Sequence, residues 1–171
     1  MTVTSDREFL RHVVIAELSA GEHEISTVTA DPAECRAIGE RLGILLVEGL
    51  TAELQLLRDL TGDVNMVGRI VADVVQACVV TLDPVAQHVD TQIFQRFSGR
   101  DDEEEGEYED PVEPIIEDRI EVGDVIVQNL ALALDPYPRA AGAEFEEFDD
   151  ETGRPTGPFA ALAGLRDDAE K

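Results

Sequence analysis

The side chains best equipped for chemistry in this 171-residue chain are two cysteines and three histidines. Cys78 lies in QACVVTLDPV, residues 76–85, an apolar run that breaks at Asp83-Pro84, and Cys35 lies in AECRAIGERLG. A thiol serves as a nucleophile, a redox centre or a soft metal ligand, and each role needs a base, a second thiol or further ligands nearby. His12, His23 and His88 fall on separate segments, and none has another histidine or a cysteine at a ligand spacing. No metal and no cofactor is therefore assigned, and no residue is read as catalytic. The chain also lacks a Gly-rich phosphate loop and a nucleophile elbow.

Carboxylates are the other reactive class. Residues 100–118, RDDEEEGEYEDPVEPIIED, hold eleven acidic side chains and one arginine. The ordered Asp-x-Asp-x-Asp-Gly spacing of a calcium loop is missing, and acids in a solvated run lack the burial that tunes a catalytic pKa. One reading of the run is a solvated linker. The sharper one is a polyanionic arm for a basic partner, carried by Asp101, Asp102, Glu103, Glu104 and Glu105, because a chain of like charge attracts cations without a fixed shape.

The whole chain shares this bias: 38 acidic against 13 basic residues give a net charge of −25 and a pI near 4.1. Such a surface repels phosphate backbones, so direct nucleic-acid binding is disfavoured and basic proteins become the expected partners. Two readings from other classes stay open. One is an acidic metal-dependent enzyme, and the other is a nucleic-acid mimic that occupies the site of an RNA-binding protein. MTVTSDREFLRHVV has no cationic start followed by an apolar stretch, and the apolar segment 66–82 is interrupted by Arg69, Asp73 and Gln76. No signal peptide and no membrane span are read, and the expected location is the cytoplasm.

The elements that must position these residues follow from pattern. Residues 13–29 read as one or two short strands broken at Ala20-Gly21. Asp31, Pro32 and Glu34 stand as N-cap, first helical residue and capping-box partner of a helix over 32–42, with Cys35, Ile38 and Leu42 on one face and Gly43 as the stop. On that face Cys35 is a small core residue. Alternation then marks a strand over 50–57, and TGDVN, residues 61–65, is a turn. A strand over 66–82 places Met66, Ile70, Ala72, Val74, Cys78, Val80 and Leu82 inward, which makes Cys78 a buried small hydrophobe. Its partner, 85–97, places Val89, Thr91, Ile93 and Phe97 inward. The acidic run 100–118 is expected to stay extended and unpacked. A helix over 121–134 follows, lined by Val122, Ile126, Leu130 and Ala133 and ended at Asp135-Pro136.

Taken in order, these segments resemble the YceD family, the large ribosomal RNA subunit accumulation proteins. The resemblance rests on four stretches: AECRAIGERLGIL leading into LTAEL; VVQACVVTLDPV; the acids followed by DRIEVGDVIVQNLALALDPYP; and GPFAALAGL. The second is similar to the family's Cys-x-x-Cys-Leu-x-Pro, with Cys78 at the first cysteine, Leu82 and Pro84 in place, and Thr81 at the second. CVVTLDP and ALDPYPR resemble the alphaproteobacterial branch. The resemblance implies a non-enzymatic factor in ribosome biogenesis. With this charge, such a factor would contact a basic ribosomal protein or assembly factor, and rRNA only indirectly. Members with two cysteines invite a zinc knuckle, but Thr81 is no thiolate, so none is expected here.

The expected architecture is α+β: an antiparallel, meander-like sheet of about five or six strands with two main helices, an acidic loop and a C-terminal tail. Residues 1–138 read as one domain with an acidic insertion at 100–118. Residues 139–171 read as an acidic tail with an apolar motif at 158–165. The candidate partner-binding residues besides the acids are Cys78, Leu82, Pro84, Pro136, Pro138, Pro158, Phe159 and Leu162.

Overall fold

The computed structural model of the chain describes residues 9–21, 23–99 and 112–144. Strand β1 (His12–Val14) and a single 3-10 turn (Ile15–Glu17) precede β2 (His23–Thr29) and helix α1 (Pro32–Leu42). Three long strands follow, β3 (Leu46–Arg58), β4 (Val64–Ala77) and β5 (Pro84–Ser98), then the short β6 (Val112–Pro114) and β7 (Arg119–Glu121), and finally α2 (Val122–Ala133). The main sheet has the order β2-β3-β4-β5-β6, and β1 pairs with β7 in a second, two-stranded sheet. Strands β2 to β5 are antiparallel throughout, as expected for an α+β meander, while β6 joins β5 in parallel.

Helix α1 begins where its sequence dictates. The Asp31 carboxylate accepts hydrogen bonds from the amides of Ala33 (2.7 Å) and Glu34 (2.9 Å), and the Glu34 carboxylate accepts from the Asp31 amide at 2.8 Å. Two otherwise orphaned donors of the first turn are thereby satisfied, and these amides hold the Asp31 carboxyl below the usual range. Gly43, at φ 66°, closes the helix in the left-handed region that glycine enters without steric cost.

Period-two alternation builds the core. Leu50, Ala52, Leu54 and Leu56 of β3 point to the same side as Met66, Ile70, Ala72 and Val74 of β4 and Val89, Ile93 and Phe97 of β5. These side chains form one cluster with Cys35 and Ile38 of α1 and Ile126 and Leu130 of α2. The other face of the sheet carries Glu53, Arg69, Asp73, His88 and Asp90, which are exposed. Helix α2 sits hard against the segment that precedes β1. The Gly123 amide donates to Arg11 O at 3.1 Å, and a Cβ on Gly123 would stand 2.1 Å from Phe9 O, so only glycine allows this approach.

The structure corrects the sequence reading at two places. Strand β4 ends at Ala77 rather than running to residue 82. Residues 78–83 form a turn closed by Cys78 N to Asp83 O (2.8 Å) and Leu82 N to Cys78 O (3.0 Å). Val80 is therefore half-buried, and Leu82 is 75% exposed at φ 65° instead of facing the core. Second, the end of the acidic run packs. Val112–Pro114 pairs with Arg96–Ser98, and Ile115 donates its amide to Ser98 O at 2.8 Å while its side chain rests on the core. Four apolar residues interleaved with the acids, Val112, Pro114, Ile115 and Ile116, supply what a pure polyanion lacks. Glu117 and Asp118, both at positive φ, then turn the chain back between Ile116 and Arg119.

Candidate functional site

Cys78 and Pro138 are brought together at the end of the sheet where β4 turns into β5. The Ala133 carbonyl at the end of α2 has no partner within the helix and accepts from Gln87 Nε2 (3.2 Å), while Gln76 Nε2 donates to Asp135 O just beyond the helix (3.0 Å). The Asp135 amide returns a bond to Gln87 Oε1 at 3.1 Å. From there residues 135–140 lie across the turn as a strap. Val79 N donates to Pro138 O at 2.9 Å, and Ala140 N points at the Cys78 sulfur.

The sulfur is the hub of this arrangement. It accepts from the amides of Ala140 (3.3 Å), Val80 (3.4 Å) and Thr81 (3.4 Å), and the Thr81 hydroxyl donates to it as well. The Ala140 amide is the largest influence and Thr81 follows; together they outweigh burial and bring the thiol from 9.0 to about 6. Hydrogen bonds to the charged form favour that form, so the amides around the sulfur lower the Cys78 thiol against the cost of its burial. Cys35 shows the opposite environment, where burial first, and then Asp31 and Glu34, push its thiol up. Cys78 is thus more than the small hydrophobe expected of it. The spacing Cys-x-x-Thr at a tight turn was the available signal, because the turn that aims two amides back at residue 78 also brings the residue-81 side chain to it.

A sealed sulfur surrounded by donors acts as an acceptor that fastens the strap rather than as an attacking group; Cys78 is 0% exposed. A depressed folded-state pKa stabilises the fold fully above the unfolded value near 9 and not at all below the folded value near 6. The stability gap between wild type and Cys78→Ala should therefore widen as pH rises from 6 to 9, and thermal unfolding at several pH values measures it. A gap that narrows over this interval would contradict the lowered thiol.

The remaining candidates are scattered. Leu82 is exposed in the turn and Pro84 just after it, and within the strap Pro136 is exposed and Pro138 buried. Asp101, Asp102, Glu103, Glu104 and Glu105 lie outside the described residues, as do Pro158, Phe159 and Leu162. Among the described residues, no group of three or more His, Cys, Asp or Glu side chains is placed to hold a metal ion. His88 Nδ1 and Asp73 Oδ1 stand 2.7 Å apart on the open face, with both side chains more than half exposed, so the pair lacks the burial that prepares a proton-transfer site.

A family model described as large ribosomal RNA subunit accumulation protein YceD matches residues 66–166, more than half of the chain. The matched span takes in the Cys78 turn, the acidic run, α2 and the strap. No curated protein and no solved structure gives a significant match.

Proposed function

Because the chain belongs to the YceD family of large ribosomal RNA subunit accumulation proteins, we propose that it supports accumulation of large-subunit rRNA without catalysis, by binding a basic ribosomal protein or assembly factor in the cytoplasm. The observation that carries the choice of partner is charge. At −25 the chain would meet rRNA with repulsion at every approach, whereas a Lys/Arg-rich protein meets attraction. Such a protein, before it reaches rRNA, binds polyanions indiscriminately; an acidic companion occupies its cationic surface until rRNA, with its denser charge, displaces it. The sealed Cys78 and the exposed His88–Asp73 pair favour a binding role over chemistry. Among the described residues no helix is long and apolar enough to cross a membrane.

Attraction of this kind is screened by salt, with a Debye length of about 10 Å at 0.1 M and about 3 Å at 1 M. Affinity capture of the tagged full-length chain should therefore recover basic ribosomal proteins or assembly factors at low salt and lose them at high salt. Recovery of naked rRNA alone would overturn the proposal.

A further inference from the structure

The edge of the sheet at β6 carries a groove of about 410 Å³ between the β6–β7 turn and α2. Its floor is apolar: the exposed Pro114 and Ile116 (65%) line it together with the buried Phe97 and Val125. Its rim is acidic, with Glu113, Glu117, Glu121 and Asp124 against a single cation, Arg119. Asp124 also bonds Arg41 of α1 at 3.1 Å, and the exposed Glu113 and Glu117 keep the rim negative.

An apolar floor alone accepts any greasy side chain, and an acidic rim alone holds only counterions. The combination selects a ligand that is cationic and carries an apolar anchor, because the rim steers the charge and the floor rewards the contact. We propose that this groove is the docking surface for the basic partner. It takes a Lys/Arg-rich segment that sets one aliphatic side chain on Ile116 and Pro114 and places its cations against Glu113 and Glu117. The proposal rests on the reading of a basic protein partner given above and names where on this chain that partner lands. A nucleic acid does not fit, since its phosphates would face the rim acids.

The probe is a labelled synthetic peptide with clustered Lys and Arg around one leucine, titrated against the full-length chain at low salt. Glu113 and Glu117 are exposed, so the double variant Glu113→Lys/Glu117→Lys keeps the fold. It should bind the peptide about tenfold more weakly than wild type, and Ile116→Ser should weaken it as well. The matched control is Glu40→Lys/Glu53→Lys, which changes net charge equally at exposed sites on α1 and on the open sheet face; its effect should be clearly smaller. Equal weakening by both double variants would overturn the groove while leaving a basic partner in place. Failure of wild type to bind the peptide at all would overturn the groove and the reading beneath it together.

Discussion

Asp63→Ala is expected to lower folding stability by about 3 kcal/mol, the largest loss foreseen for a single side chain of this protein. Asp63 is 1% exposed and bonds the Arg96 guanidinium at 2.6 Å, while Ser98 Oγ donates to its other oxygen at 2.9 Å. Removing Asp63 takes the buried carboxylate from both Arg96 and Ser98, and breaking such a group costs more than the pair contributed. Arg96 keeps a quarter of its side chain in solvent, and this holds the figure at the lower end of the range for buried pairs. The turn that delivers Asp63 is itself fastened: Asp59 Oδ1 accepts from the Thr61 hydroxyl, the Thr61 amide and the Asp63 amide, and the Thr61 hydroxyl does most to hold the Asp59 carboxyl low. Asp63→Asn, which retains an acceptor for Ser98, should lose less. Urea unfolding of the three proteins checks this order, and a change under about 0.5 kcal/mol for Asp63→Ala would refute it.

The position of this cluster ties stability to the proposed docking surface. Arg96 and Ser98 are the residues of β5 on which β6 pairs, so Asp63 clamps the strand end from which the acidic segment departs and to which the groove is built. Loosening it should release β6 and the Glu117-Asp118 turn before it disturbs the cluster around Ile70.

Why was Asp63 invisible in the sequence? TGDVN reads correctly as a turn, and aspartate in a turn is ordinarily a solvated residue. Its burial depends on Arg96 and Ser98, far along the chain and paired opposite only because β4 and β5 are long and in register. The helix α1, by contrast, was legible to its caps, because capping is a local exchange of hydrogen bonds within four residues. The strands β3, β4 and β5 were legible in their faces, since alternation reports burial directly, but the end of β4 was not. Val80 and Leu82 continue the alternation past Ala77, and only the bonds between Cys78 and residues 82–83 show that the chain has already turned. Strand β6 was hidden for another reason. Acid content dominates residues 100–118, and the four apolar residues near its end gain meaning only when β5 offers an edge for them.

The same limit applies to the candidate site. The sequence placed Cys78 inward, where it is buried, but did not show the donors around its sulfur, because the Ala140 amide reaches it from beyond α2. Of the groove, the sequence showed only the negative charge; its apolar floor is assembled from β5, β6, the following turn and α2.

Loss of the protein should act strongly on large-subunit rRNA. Under the proposed partnership, a basic large-subunit component without its acidic companion would bind other polyanions, and rRNA left without that component would stay open to degradation. The most direct test is the ratio of large-subunit to small-subunit rRNA in cells from which the gene has been removed, then restored as wild type or as Glu113→Lys/Glu117→Lys. The expected result is a clear fall in the ratio, recovery with wild type, and poor recovery with the charge-reversed groove. A ratio unchanged by removal of the gene would contradict the account at its root.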